Sequence, residues 1–332
     1  MILDFFNERS IKRFVFILFY LTALFWQEII AVGEPCAAHS IISVDNFLHN
    51  VAAANIYLSA SIKLLLLLAC SYGFIIMLSV NDVLPKRKYL AVLLFWAVVS
   101  GFANSQTFAN NLCALLFQIF AFYHVFRIYH RDTVKSSIFI SVFFVGISSM
   151  FSFPFIASTL NILIGLWIFH IVKWRDMAAI LLGLLMPFVF LLYFFQLAYH
   201  DINLMWQLIE NNFAQSVSVS FSLDNFYHLT TVFLGFVFLA GFLSIVKIAA
   251  IKRTKNIYKM TEQLFYFVFF TSAIIFVTVY GMRTYAITLF GISSAYLLTR
   301  FSQIAKRIWF AELIIYLILL AAVAYNNYEL LI

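Results

Sequence analysis

Charge is scarce in this sequence. Asp, Glu, Lys and Arg make up 11% of its 332 residues, against 64% hydrophobic residues and a mean hydropathy of +0.99. A chain so poor in polar surface cannot cover a soluble core, so its solvent is a bilayer. Proline is nearly absent, with four residues, and glycine numbers ten. A barrel of alternating strands needs turn residues at every hairpin, whereas 41 phenylalanines in long apolar runs suit helices in lipid. Cys36, Cys70 and Cys113 are scattered without C-x-x-C spacing, so no disulfide framework or zinc site is indicated. No P-loop, Gly-rich nucleotide fingerprint, nucleophile elbow or HExxH occurs, so ATP-driven transport and membrane proteolysis lack the residues they need. No cofactor and no metal are expected. The net charge of +7 would suit nucleic acid, but the cations are placed by topology, and no nucleic-acid partner is expected.

What is present is a series of apolar runs. The first, from Phe14 to about Val32, follows Arg9, Lys12 and Arg13. Its length, and the acids Asp4 and Glu8 in its leader, favour a retained span over a cleaved signal ending near Cys36. Further runs begin near Ile56 and Tyr89, and a fourth ends near Arg127. Between Ser136 and Lys173 there are too many apolar residues for one crossing, since a single helix would be about 55 Å long against a hydrocarbon core of about 30 Å. Pro154 and its neighbouring serines therefore mark a turn between two short spans. Runs from about Ala178, Leu229, Leu264, Thr284 and Ile308 complete the series. The expected fold is all-α: one transmembrane domain over residues 1–332 with about eleven transmembrane helices.

Orientation follows from charge. With the N-terminus cytoplasmic and the C-terminus outside, all but Lys63 and Arg283 of the 21 Lys and Arg fall on the cytoplasmic side. Outer loops then cover about 33–55 and 199–228. The second is the longest stretch that cannot lie in hydrocarbon. Within it Leu204, Met205, Leu208, Ile209 and Phe213 share one helical face, with Asn203, Gln207, Glu210 and Asn211 opposite, which predicts an amphipathic helix on the membrane surface. From Ser216 to Ser222 serine alternates with apolar residues, a period of two that predicts an extended segment.

The outer loops also carry the candidate chemistry. Glu34 and Asp45 are the candidate catalytic acids, because a carboxylate there can act as general base towards an acceptor hydroxyl; each also reads as a solvated loop acid. Arg283, in a tight turn beside Gly281, offers a charged planar fork suited to phosphate oxygens, whether of a substrate or of an interfacial lipid. Lys63 is the second candidate for lipid phosphate, or a stem that snorkels to the surface. His200, Asp201, Asp224 and His228 are candidate outer-loop substrate contacts. Asn104, Gln106, Asn110 and Asn111 either line a polar cleft or mark a helix turn.

Two resemblances bear on function. Phe151-Ser152-Phe153-Pro154 with Leu166-Trp167-Ile168-Phe169, Lys173-Trp174-Arg175-Asp176 with Leu181-Leu182-Gly183-Leu184-Leu185-Met186-Pro187, and Lys306-Arg307-Ile308-Trp309-Phe310-Ala311-Glu312 are packing and topology motifs. Through them the chain from about residue 100 onward resembles a bacterial family of polytopic inner-membrane proteins known only as a domain of unknown function. The layout of loops is also similar to GT-C-type glycosyltransferases, which use polyprenyl-phosphate-linked sugars at the outer membrane face. In that plan a first outer loop supplies an acid, a longer loop after the seventh span covers the site, and a late basic residue holds lipid phosphate. Glu34 or Asp45, the loop 200–228 and Arg283 occupy those places, although no Asp-Glu pair follows the first span. The resemblance implies a multi-pass protein of a bacterial cytoplasmic membrane that handles a polyprenyl-phosphate-linked glycan, as a GT-C-like glycosyltransferase. Its partners would be membrane lipid, that glycan lipid and other envelope proteins. The alternatives are a transporter or flippase for an amphipathic substrate, and a non-catalytic scaffold subunit of an envelope complex.

Overall fold

In the computed structural model the described residues are 11–30, 42, 44–80, 83–84, 86–100, 108–128, 134–169, 174–200, 202–216, 229–250, 256–279, 282–305 and 308–326. Among them there is no strand. The helices are α1 (Ile11–Ile30), α2 (Val44–Ala54), α3 (Ile56–Ser79), α4 (Lys88–Ser100), α5 (Phe108–Arg127), α6 (Val134–Phe151), α7 (Ser158–Ile168), α8 (Trp174–Tyr199), α9 (Ile202–Ser216), α10 (Leu229–Ala249), α11 (Asn256–Thr278), α12 (Arg283–Ile304) and α13 (Ile308–Asn326). Every apolar run read as a span has a helix at its place. Five stretches, within α3, α5, α8, α10 and α11, are long and apolar enough to cross a membrane.

The expected turn at Pro154 is a single 3-10 stretch, Phe153–Ala157, with Pro154 in its first turn. Ser152, the cap residue before it, is extended, so α6 stops there and α7 begins only after the 3-10 turn. α6 lies between α5 and α8. Its serines reach into α5: Ser141 Oγ donates to the Ala121 carbonyl at 2.9 Å and Ser148 Oγ to the Ala114 carbonyl at 2.7 Å. On its other side a Cβ on Gly183 of α8 would lie 2.8 Å from the Phe139 carbonyl oxygen. Small residues here let two helix backbones touch, the main source of attraction where lipid is as apolar as leucine.

The centre of the bundle is the pair α4 and α12. α4 has only 13 residues, and Leu90 to Val98 are all fully buried. It is surrounded by α1, α3, α12 and α13. α12 is buried along nearly its whole length although it carries Thr288, Ser293, Ser294, Thr299 and Ser302. Each of those hydroxyls donates to a carbonyl of its own helix at 2.7 to 3.2 Å, so burial leaves no polar atom of theirs unsatisfied. Gly291 brings α12 against α4, where an added Cβ would fall 2.9 Å from Val99 Cγ2. Trp96 of α4 donates its indole N–H to Ser71 Oγ of α3 at 2.7 Å. Tyr20 of α1 donates to the Leu319 carbonyl of α13 at 3.3 Å, closing the ring around α4.

α9 forms where the 3.6-residue pattern placed it and begins one residue earlier. Asn203, Gln207, Glu210 and Asn211 are exposed, and Met205 is buried against Met150, Leu191 and Phe195 of α6 and α8. Leu208 and Ile209 pack on the same cluster, while Phe213 stays 56% exposed and meets Phe153 edge-on at 6.1 Å. Met205 is thus the anchor. Met205→Glu should put a charge into this apolar contact and release α9, read as faster amide hydrogen exchange over 202–216 with α8 unchanged. Unchanged exchange in α9 would remove the anchor.

Candidate functional site

One end of the bundle gathers the polar elements. Asp45 opens α2 and Asn110 lies in the first turn of α5, and each caps the other's helix. The two Asp45 carboxylate oxygens accept from the Ala109 N–H at 2.9 Å and the Asn110 N–H at 3.1 Å. In return Asn110 Oδ1 accepts from the Val44 N–H at 2.7 Å and the Asp45 N–H at 3.3 Å. A helix start leaves its first N–H groups without intrahelical partners, and here two starts satisfy each other through one acid and one amide. The Ile42 N–H donates to the Met150 carbonyl at 3.1 Å, so this end also includes the foot of α6 and, through Met150, α9.

Burial pushes the Asp45 carboxyl above its ordinary value, and the two backbone N–H groups and the charge of Lys63 recover only part of that cost. Lys63, on α3, is only 4% exposed. Its charge is within electrostatic reach of Asp45, and its stem is buried instead of extending to the surface.

Arg283 stands at the start of α12, after a turn in which the Met282 N–H donates to the Val279 carbonyl at 3.2 Å. Met282 is the N-cap and gives no side-chain hydrogen bond, so the opening amides of α12 receive no cap from it. The half-buried Arg283 lays its guanidinium over the Phe276 ring, 5.5 Å from the centroid. Phe276 is also a wall of a groove of about 490 Å³ between α10, α11 and α12. Leu234, Gly235, Phe238, Phe270 and Ile287 line the rest of it, and Ile274, 61% exposed, marks its open flank. Across Ile287 lies a pocket of about 30 Å³, room for one water, between Phe25, Trp96, Phe108, Asn111 and Thr284.

No protein-family model, no curated protein and no solved structure matches the chain. Function therefore rests on the site itself.

The structure brings Asp45 and Lys63 together, and neither lines the groove beside Arg283. The small pocket is lined by chain neighbours, Asn111 next to Asn110 and Thr284 next to Arg283, but by none of these site residues themselves. His200 is exposed, with φ +53, and forms the left-handed corner between α8 and α9. Glu34, Asp201, Asp224 and His228, Asn104 and Gln106, and the stretch after Ser216 read as extended lie outside the described residues; Ser216 itself closes α9. Among the described residues no group of His, Cys, Asp and Glu is arranged to hold a metal ion. The groove had no signal in the sequence, because its walls come from three helices whose apolar residues look alike.

Proposed function

We propose that this chain is a multi-pass protein of a bacterial cytoplasmic membrane, with about eleven spans, its N-terminus inside and its C-terminus outside. Its task is to bind and handle a polyprenyl-phosphate-linked glycan at the outer face, in the manner of a GT-C-like glycosyltransferase. The observation that carries this reading is Arg283 at the start of the 22-residue α12, where the N-cap Met282 gives no side-chain hydrogen bond. Helix-start amides and the positive end of the helix dipole favour an anion, and a guanidinium beside them adds a bidentate donor fork for phosphate oxygens. Glu34 is the proposed base for transfer, with Asp45 as the other candidate acid; Asp45 already accepts two amides with its two oxygens. Lys63 stands as a second cation of the same end. His200, Asp201, Asp224 and His228 are proposed to contact the glycan.

A transport reading calls for a polar cavity at mid-depth. Among the described residues the groove is lined almost wholly by apolar side chains. Gln118 of α5, fully buried with an amide that makes no hydrogen bond to a described residue, lines neither that groove nor the small pocket. Binding at the membrane's edge fits the site better than passage through the bundle.

The test is direct binding of a defined polyprenyl phosphate to purified protein. Arg283→Lys keeps the charge and loses the fork, and should weaken binding by about 1–3 kcal/mol. Arg283→Ala should weaken it at least as much. Equal binding by wild type and Arg283→Ala would take Arg283 out of the site and the leading reading with it.

A further inference from the structure

We infer that the groove between α10, α11 and α12 holds a single hydrocarbon chain of a phosphate-bearing lipid, which enters sideways from the bilayer with its phosphate at Arg283; this rests on the phosphate reading of Arg283. The lining decides the chemistry of the occupant. Leu234, Phe238, Phe270 and Phe290 present only carbon, and the hydroxyl of Thr278 is turned back to the Ile274 carbonyl at 2.9 Å. Water has nothing to bond to there, so the favoured occupant is apolar. The volume of about 490 Å³ lies in the range of about 300–1,000 Å³ typical of ligand sites.

Gly235, one of the residues lining the groove, is itself exposed. Gly146, Gly183 and Gly291 each sit where an added Cβ would lie under 3.0 Å from a neighbouring helix. Around a Cβ on Gly235 there is nothing within 4 Å. Glycine inside a helix costs about 1 kcal/mol relative to alanine, and at this position no close helix contact offsets it. A large side chain at this position has room to be placed without a close contact and would occupy space beside the groove. The occupant's charge is set at the other end. Phe276 lies at once in the wall and under the Arg283 guanidinium, so a chain in the groove ends beside a cation and the start of α12, to which Met282 gives no side-chain cap. Phosphate is the head group that matches both, and the flank at Ile274 is the way in from lipid.

The experiment measures binding of farnesyl phosphate, farnesol and inorganic phosphate to the full-length protein in nanodiscs, by native mass spectrometry. Wild type should bind farnesyl phosphate at least tenfold more tightly than either of the other two. Gly235→Phe should fill the groove and weaken farnesyl phosphate at least tenfold while thermal unfolding stays unchanged, and Gly235→Ala should bind as wild type. Ile274→Trp narrows the entrance from the exposed side and should also weaken binding, which covers the case of Gly235→Phe failing to fold. If both groove variants bind as wild type while Arg283→Gln binds weakly, the chain lies elsewhere and only the phosphate reading stands. If Arg283→Gln binds as wild type and Gly235→Phe does not, the groove takes a neutral lipid and both claims fall. A change from dimer to monomer in Gly235→Phe with lipid binding intact makes the groove a contact between copies and overturns the inference.

Discussion

Gly183→Leu should part α6 from α8 and sharply lower the unfolding temperature. A Cβ at this position would stand 2.8 Å from the Phe139 carbonyl oxygen and 3.4 Å from the Phe143 amide nitrogen, both backbone atoms of α6. A flexible side-chain tip can move aside; a helix backbone cannot move without breaking its own hydrogen bonds. The contact is reciprocal, because a Cβ on Gly146 of α6 would meet the Pro187 ring of α8 at 2.8 Å and the Leu184 carbonyl at 3.1 Å. Pro187, inside α8, thus has its ring against the one residue type that leaves room for it. Overpacking a filled core costs about 1–3 kcal/mol, so Gly183→Ala belongs in that range and the four extra atoms of leucine beyond it. Gly235→Ala is the control, since the new methyl meets nothing within 4 Å and should stabilise by about 0.5–1 kcal/mol. The measurement is thermal unfolding in detergent. Gly183→Leu melting with wild type would mean that the two helices do not meet along this seam.

That seam shows how far the sequence could be read. Each apolar run announced its helix, because burial in lipid or in protein leaves the same signature. The amphipathic pattern of 203–213 announced α9 for the same reason, and Pro154 announced the turn. Rank within the bundle was hidden. α12 is buried along nearly its whole length and yet carries many small and hydroxyl side chains, since its hydroxyls are satisfied within the helix and its Ala286, Gly291 and Ala295 admit close neighbours. The largely exposed α8 is richer in leucine than the core, with Leu181, Leu182 and Leu185 all about half exposed or more. In water the most apolar helix would be the most central; in a bilayer that inference loses its basis. Arg283 could be singled out by its charge alone. The groove beside it could not, because walls contributed by residues 234, 270 and 287 have no common pattern along the chain.

Asp45→Ala is expected to cost about 2–4 kcal/mol of stability, whereas Asp45→Asn should cost less than about 1 kcal/mol. Alanine strips two amides, those of Ala109 and Asn110, of their acceptor at a partly buried helix start. Asparagine keeps an oxygen for one of them and removes a charge whose burial is only partly offset by Lys63 and the amides. The reciprocal cap makes the pair cooperative. Asn110→Ala frees the Val44 and Asp45 amides and loosens the same junction, so the double variant should be less destabilised than the sum of the two. The pH dependence has a definite sign. The carboxyl titrates above its ordinary value in the folded protein, so the stability it contributes is full below the ordinary carboxyl range and declines as pH rises through the raised value. Asp45→Asn should abolish that slope. Additive single effects and a slope that survives Asp45→Asn would together remove the cap from the account of this end of the molecule. The same variants separate structure from chemistry in the transfer reaction proposed for this face. A base is lost when Asp45 becomes asparagine even though the fold is kept, so transfer abolished in Asp45→Asn at unchanged stability would assign the proton to Asp45. Transfer that follows stability through asparagine and alanine alike would leave Asp45 as the clasp of α2 on α5 and pass the role of base to Glu34.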